Sequence, residues 1–284
     1  MKLKEWLIEK TLLLMALSAV SMLALIAIFV FLDGTPIMLR HGLGRFLLGH
    51  RWAPTKEAYG ILPMVVGSVW VTVGALVVAG PLGLACAVFL VEIAPRRIAD
   101  VVRPAIQLLA GIPSVVYGFV GIVVLVPLIR DHLGGPGLSV LAAAIILGVM
   151  VLPTVISISQ DALEAVPRIY KEGALALGCT HWQAITRVIL PAARRGITTA
   201  MVLGLGRAVG ETMAVIMVVG NAVKVPNDLL DPARTLTSNI ALEMAYASGE
   251  HREALFATGV VLFVFIMALN SVATMRFGRR RAGA

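Results

Sequence analysis

Several apolar stretches of about twenty residues recur along this chain, and they leave it one solvent in which to fold. At a rise of 1.5 Å per residue, a helix of that length crosses a hydrocarbon core of roughly 30 Å. Composition agrees. Of 284 residues, 59% are hydrophobic and only 14% charged, and the mean hydropathy is +0.93. A water-soluble domain cannot cover that much apolar surface. The expectation is an all-α polytopic membrane protein with about six transmembrane helices, over residues 12–32, 63–91, 104–129, 137–159, 196–220 and 254–275.

The first stretch follows Lys2, Lys4 and Lys10 but is longer than the apolar region of a secretory signal, and no small-residue cleavage site follows. It reads as a retained helix. The chain divides into an N-terminal helix with a first outer loop (1–62), a transmembrane domain (63–276) and a basic tail (277–284).

The formal charge of +8 would suit a nucleic-acid binder only if the cations shared one soluble face. Here they flank apolar spans, which is a signature of membrane orientation. With six spans, 15 Lys and Arg fall on the side holding both termini, 8 on the other, and Arg207 inside a span. The richer side is expected to be cytoplasmic, with both termini there and the chain multi-pass in the cell inner membrane. Arg40, Arg45, Arg51 and Lys56 in the first outer loop run against that vote, while Arg276, Arg279, Arg280 and Arg281 after the last span support it. Neither Cys86 nor Cys179 is placed for an extracellular disulfide. The five histidines have no zinc-ligand spacing, so no metal site is expected.

Pro113, within Ala110-Gly111-Ile112-Pro113-Ser114, falls in the middle of the third stretch. A proline there removes a backbone donor and clashes with the preceding turn, which predicts a kink or break. At membrane depth the freed groups need protein or a water-filled cavity to satisfy them. A break at Gly111 and Pro113 therefore marks either a pathway or a packing kink. Gly134-Gly135-Pro136-Gly137 reads as a tight outer turn.

The connection over 160–195 is too polar to span and too regular to be a plain linker. Glu172 to Leu177 is helix-forming, and Gly178 can supply a left-handed stop. Thr180 and Gln183 have the spacing of a capping box that opens a second short helix, which Pro191 is expected to end. Leu175, Leu177, Trp182 and Ile185 would then be exposed. Such a patch either receives a partner or lies on the membrane surface.

Glu172-Gly173-Ala174, three residues, Gly178, nine residues and Val188-Ile189-Leu190-Pro191 resemble the EAA loop of type I ABC importer permeases. That family pattern has Ala at the first of the two positions after Glu, and Ile where Val188 stands. In that family the loop is a coupling helix seated on a separate ATPase subunit, a role the resemblance implies for Glu172, Gly173, Ala174, Gly178, Leu190 and Pro191.

In the fifth stretch, Arg207 and Glu211 are two ionisable groups in an otherwise apolar run. Arg207 lies about eleven residues, roughly 16 Å, beyond Gly196, so it is expected near the midplane. An isolated charge there costs at least about 2.5–3.5 kcal/mol. Spaced four apart on one helical face, the two could offset each other. A guanidinium on a water-lined path also suits an oxyanion, whose oxygens match its fork. The pair is thus either part of a substrate path and gate or a fixed ion pair for packing. Gly204, Gly206 and Gly210 are expected to allow close helix approach.

The run Gly206-Arg207-Ala208-Val209-Gly210-Glu211-Thr212 is similar to the signature of phosphate-specific permeases, and nearly the whole chain resembles the PstC family. Other matching pieces are Tyr59-Gly60-Ile61-Leu62-Pro63 and Leu109 to Gly118, and Met213-Ala214-Val215 departs from the Ala-Pro-Leu of the sister PstA family. The resemblance implies half of a phosphate translocation path, with a PstA-like permease subunit, two PstB-like ATPase subunits and a PstS-like phosphate-binding protein as partners. Asn227 to Arg252 would then lie where the binding protein docks. A PstA-type role or another oxyanion (sulfate, molybdate, phosphonate) is the alternative. A secondary transporter fits less well, because the halves show no internal repeat. No Gly-x-x-x-x-Gly-Lys-Ser/Thr occurs, so ATP and Mg are expected on the partner ATPase and no enzyme activity or cofactor in this chain.

Overall fold

The computed structural model describes residues 2–278 of the chain, and nearly all of its regular structure is helical. The first helix, α1 (Lys2–His41), is continuous over 40 residues and carries Pro36 inside it. A short α2 (Leu43–Leu48) and a two-strand hairpin, β1 (Trp52–Ala53) and β2 (Ala58–Tyr59), follow it; Trp52 pairs with Tyr59 in antiparallel register. The second span is α3 (Leu62–Val88) extended by a π-helical turn at Phe89–Ile93. Next come α4 (Arg96–Gly111), α5 (Ser114–Val120), a π-turn at Gly121–Leu125, and α6 (Val126–Leu133). The fourth span is α7 (Val140–Glu164), followed by α8 (Arg168–Ala176) and α9 (His181–Ala184). A π-turn at Ile185–Ile189 carries α9 straight into α10 (Leu190–Gly210). The last elements are α11 (Met213–Val218), α12 (Leu236–Glu243) and α13 (Glu250–Gly278).

Six of these helical runs are long and apolar enough to cross a membrane: Lys4–His41, Leu62–Ile93, Ser114–Leu133, Val140–Glu164, His181–Gly210 and Glu250–Ala268. The number six agrees with the sequence reading. Three of the spans differ in their bounds: the first, expected over 12–32, lies within a helix that runs from Lys2 to His41. The expected third span over 104–129 is two helices, because α4 stops at Gly111 and α5 starts at Ser114. The expected fifth span over 196–220 begins far earlier, at His181, and stops at Gly210. Contrary to the expectation, Pro191 does not end the loop's second helix; the π-turn just before it widens the ladder where a proline lacks its donor.

Among the described residues, three apolar clusters hold the bundle together. The central one joins Val71 and Ala75 of α3, Tyr117 of α5, Leu147 and Val151 of α7, Ala208 of α10 and Val218 of α11. Here small residues set the spacing: a Cβ on Gly74 would sit 2.7 Å from the Ala144 Cβ, and one on Gly83 would sit 2.7 Å from Val155 Cγ1. With lipid as solvent, such close backbone approach supplies packing that hydrophobicity cannot. A second cluster packs Ile37 of α1, Phe46, Trp52 and Tyr59 against Leu236 and Leu255. The third packs Leu90, Ile106, Ile156, Leu163 and Ile185 at the opposite end. The two ends are termed the hairpin end and the loop end below.

Along α1, residues 4–25 are exposed on every side. For a run this apolar the contacting medium is lipid or another helix, since water would be too costly. The Gly134–Gly137 turn is as expected, with Gly134, Gly135 and Gly137 all at positive φ. Arg279, Arg280 and Arg281 lie outside the described residues.

Candidate functional site

At the loop end, α8 and α9 form the expected helix–turn–helix. Gly178 adopts φ 85°, with its N–H donating to Leu175 O at 3.0 Å and that of Cys179 to Ala174 O at 3.1 Å. Those two bonds are the Schellman stop, which only glycine enters without strain. The capping box also forms: Gln183 N–H donates to Thr180 Oγ1 at 3.3 Å and Thr180 N–H to Gln183 Oε1 at 2.9 Å. Leu177 is 87% exposed and Trp182 63%, while Ile185, expected on the same surface, is fully buried. It starts the π-turn and packs into the third cluster with Leu163 and Ile189. Glu172 and Gly173 are exposed, and Ala174 is buried beneath them. A Cβ on Gly173 would meet nothing within 4 Å among the described residues.

This surface is tied to the spans by ion pairs that sequence reasoning missed. Lys171 Nζ lies 2.6 Å from Glu92 Oε2, whose side chain is only 8% exposed. Arg103 of α4 pairs with Glu164 at 2.5 Å. These groups border a cleft of about 830 Å³, which Glu172 and Arg168 also line. Glu92 is the lone acid at the end of an apolar run, and that was the available signal.

The second candidate region is the break after α10. The α-helix ends at Gly210, and Glu211 is extended (φ −70°, ψ 132°), so Arg207 and Glu211 do not share a helical face. Among the described residues no ion pair joins them. This corrects the expected pair, and the cause is local. Glu211 Oε1 accepts from the N–H of Ala214, the second residue of α11, at 3.2 Å, and its backbone O accepts from Thr237 Oγ1 at 3.1 Å. The carboxylate is thus used at the start of the next helix, and a side chain from α12 satisfies a carbonyl that the break frees.

Arg207 is exposed and donates from Nη1 to Thr154 Oγ1 at 3.2 Å. Starting the helix at His181 removes Gly196 as a ruler for depth, but Thr154 supplies another, being near the middle of the 25-residue α7. Leu203, Gly206, Arg207 and Gly210 share one helical face. A Cβ on Gly206 or Gly210 would meet nothing, whereas one on Gly204 would lie 3.0 Å from Val151 and Val155. Of the three glycines expected at close contacts, Gly204 alone makes one among the described residues. An exposed guanidinium at that depth cannot face hydrocarbon without a cost of at least about 2.5–3.5 kcal/mol. Its face borders either water or another protein surface.

The break at Gly111 and Pro113 lies beside this region. Ile112 is extended (φ −69°, ψ 129°), and Tyr117 Oη donates back across the gap to Leu109 O at 2.8 Å. The site is therefore two interrupted helices flanking an exposed arginine, with Thr154 beside it on the continuous α7.

Comparison with known proteins agrees with this architecture. Residues 79–281 match the family described as "Binding-protein-dependent transport system inner membrane component". "Probable ABC transporter permease protein YqgH" of Bacillus subtilis is 44% identical, covering 88% of this chain and 85% of that protein. "Phosphate transport system permease protein PstC" of Mesorhizobium japonicum is 36% identical over 88% and 85%, and its Haemophilus influenzae counterpart 36% over 92% and 89%. In fold, the chain is similar to the MetNI methionine ABC transporter in an inward-facing form (TM-score 0.60, 20% identity, 81% of this chain and 99% of that one). It is also similar to a bacterial alginate ABC transporter (TM-score 0.59, 16% identity, 94% and 95%). The chain is a multi-pass inner-membrane protein with the fold of type I ABC importer permeases, and it belongs to the binding-protein-dependent transport family, within it to the PstC permeases.

Proposed function

We propose that this chain is the PstC-type permease subunit of an ATP-driven importer of inorganic phosphate and forms half of the translocation path. The observation that carries the reading is Arg207, a guanidinium exposed at mid-span depth beside Thr154, on a helix face left bare by Gly206 and Gly210. Such a group binds an oxyanion through two parallel hydrogen bonds. The phosphate-transporting relatives support that anion over sulfate, molybdate or phosphonate. A PstA-like subunit covers the Arg207 face and closes the path. Glu211, held at the start of α11, positions the break rather than neutralising Arg207.

Two PstB-like ATPase subunits bind ATP and Mg; one seats on the exposed surface of Glu172, Leu177 and Trp182, and a PstS-like protein delivers phosphate at the hairpin end. The loop end and both termini are cytoplasmic. Closure of the ATPase pair pushes α8, and the Lys171–Glu92 pair passes that displacement to the second span. The breaks at Gly111 to Pro113 and at Glu211 let α5 and α11 tilt without unwinding the longer helices.

Labelled phosphate uptake at low external phosphate tests the reading, in cells whose single copy of this subunit is native, Arg207→Ala or Glu172→Lys. Uptake by native cells and its loss in both variants, at equal membrane levels, is the expected result. Uptake independent of this chain overturns the phosphate assignment. Full activity of Arg207→Ala alone leaves the coupling surface standing and removes Arg207 from the path.

A further inference from the structure

Arg40 in the last turn of α1, and Arg45, Arg51 and Lys56 in the connection that follows, lie on the side where the orientation proposed above disfavours cations. The structure accounts for one of them. Arg40 pairs with Glu250 at 3.3 Å and Glu253 at 3.1 Å, fixing the end of α1 to the start of α13. The guanidinium groups of Arg45 and Arg51 have no ion-pair or hydrogen-bond partner among the described residues.

Their backbones are nevertheless held firmly. Arg45 O accepts from Gly49 N at 2.9 Å and Arg51 O from Gly60 N at 2.9 Å. Gly49 and Gly60 pack backbone to backbone, so that a Cβ on Gly49 would lie 2.8 Å from the Gly60 Cα. Phe46 is buried directly behind them, 1% exposed. The result is a preformed cavity of about 460 Å³ bordered by His41, Arg45, His50, Arg51, Glu57 and Tyr59. Burial, with the carboxylates of Glu250, Glu57 and Glu253, pushes the Tyr59 phenol up, so at neutral pH it keeps its proton and can donate. Glu57 is the carboxylate in the lining; Glu250 reaches it through His41 Nε2 at 3.4 Å and, like Glu253, is paired with Arg40, which leaves two guanidinium forks, the His50 imidazole and the Tyr59 phenol to face an anion.

From this arrangement we infer that the cavity between α2 and the hairpin binds a phosphate group, with Arg45 and Arg51 as its charged donors. Two sources share that chemistry: inorganic phosphate, and the headgroup of an anionic phospholipid. The second has its own support. Leu43 and Leu48 on α2 are 52% and 66% exposed beside the cavity, where an acyl chain would lie. The inference rests on the orientation proposed above, and its test leaves every residue of the uptake experiment unchanged except as a common background.

The full-length chain carrying Arg207→Ala, so that the path contributes no phosphate affinity, is purified in phosphatidylcholine nanodiscs. Binding of radiolabelled inorganic phosphate is compared with the same protein bearing Arg45→Gln and Arg51→Gln, or Lys56→Gln, an equally exposed cation outside the cavity lining. In parallel, retention of phosphatidylglycerol is measured after exchange from mixed vesicles containing 20% of it. Phosphate affinity falling at least tenfold in the double variant, with Lys56→Gln unchanged, identifies a free-phosphate site. Unchanged phosphate binding with phosphatidylglycerol retention lost in the double variant alone identifies a headgroup site, which upholds the inference. If neither ligand separates the double variant from its parent, or if Lys56→Gln costs as much, the inference is overturned. In that case phosphate uptake by the Arg45 and Arg51 variants stays native and the proposed function stands.

Discussion

Lys171 Nζ sits 2.6 Å from Glu92 Oε2, which ties the helix carrying Glu172 to the loop end of the second span. The carboxylate is almost wholly buried and the ammonium about a third exposed, so the pair is neither a loose surface contact nor a dry interior one. Lys171→Glu is expected to destabilise the junction by about 1–3 kcal/mol and to lower uptake at least tenfold at normal membrane levels. The swap Lys171→Glu with Glu92→Lys restores most of it. Uptake that survives the single change, or a swap that rescues nothing, would show that force reaches the spans by another route.

At the hairpin end Glu243 accepts hydrogen bonds from Trp52 Nε1 at 2.8 Å, His251 Nε2 at 2.8 Å and Arg234 Nη1 at 2.6 Å. Burial alone would raise its carboxyl, but these three bonds outweigh burial and hold it below the ordinary carboxylate value. Because the folded value lies below the unfolded one of about 4.3, the stabilisation is present above that pH. It disappears as pH falls through the folded value. Thermal unfolding of the purified protein, followed by tryptophan fluorescence from pH 7 to pH 3, is expected to show this loss. Glu243→Gln lowers stability at pH 7 by about 1–3 kcal/mol and flattens the acid limb; an unchanged acid limb refutes the assignment.

Gly34 of α1 faces the backbone of α13: a Cβ there would lie 2.7 Å from Ala257 N and 2.8 Å from Phe256 C. Backbone atoms cannot swing aside, so Gly34→Val is expected to part the two helices at a cost of about 1–3 kcal/mol. Gly206→Ala meets open space and is expected to leave the melting temperature of the isolated chain unchanged. It lowers recovery of the second permease subunit on co-purification. Equal melting losses in the two variants would mean that the bare face of α10 is not an assembly surface.

Tyr117 Oη closes the gap at Ile112 and Pro113 by donating to Leu109 O. Tyr117→Phe removes about 1 kcal/mol of net hydrogen bonding. Amide exchange at Ile112, whose N–H reaches Leu109 O at 3.3 Å, is expected to quicken about fivefold while α7 exchanges as before. Exchange accelerated equally in α7 would point to global destabilisation instead of a loosened hinge.

Much of this was legible in the sequence because the relevant physics is local. Span number follows from apolar length, the Gly178 stop and the Thr180–Gln183 capping box from residues a few positions apart, and the break from Pro113. The Arg207–Glu211 pair was misread for the opposite reason. Spacing by four implies contact only inside a helix, and the helix ends between the two residues. It ends there because side chains distant in sequence compensate the break: Thr237, from α12, bonds the Glu211 carbonyl. Pro191 was misread likewise, since a π-turn accommodated what an α-helix would not.

The choice of solvent, the number of crossings and the helix–turn–helix at the loop end could all be read along the chain, because hydropathy, capping and turn chemistry act within one or two turns. It took the packed fold to turn Arg207 to Thr154, to bring Lys171 to Glu92, and to place Arg45 and Arg51 on one preformed cavity. Each brings together groups from different helices or from either side of a turn. Packing of Gly74 on Ala144, Gly83 on Val155 and Gly49 on Gly60 sets those positions, and no periodicity along the chain encodes them.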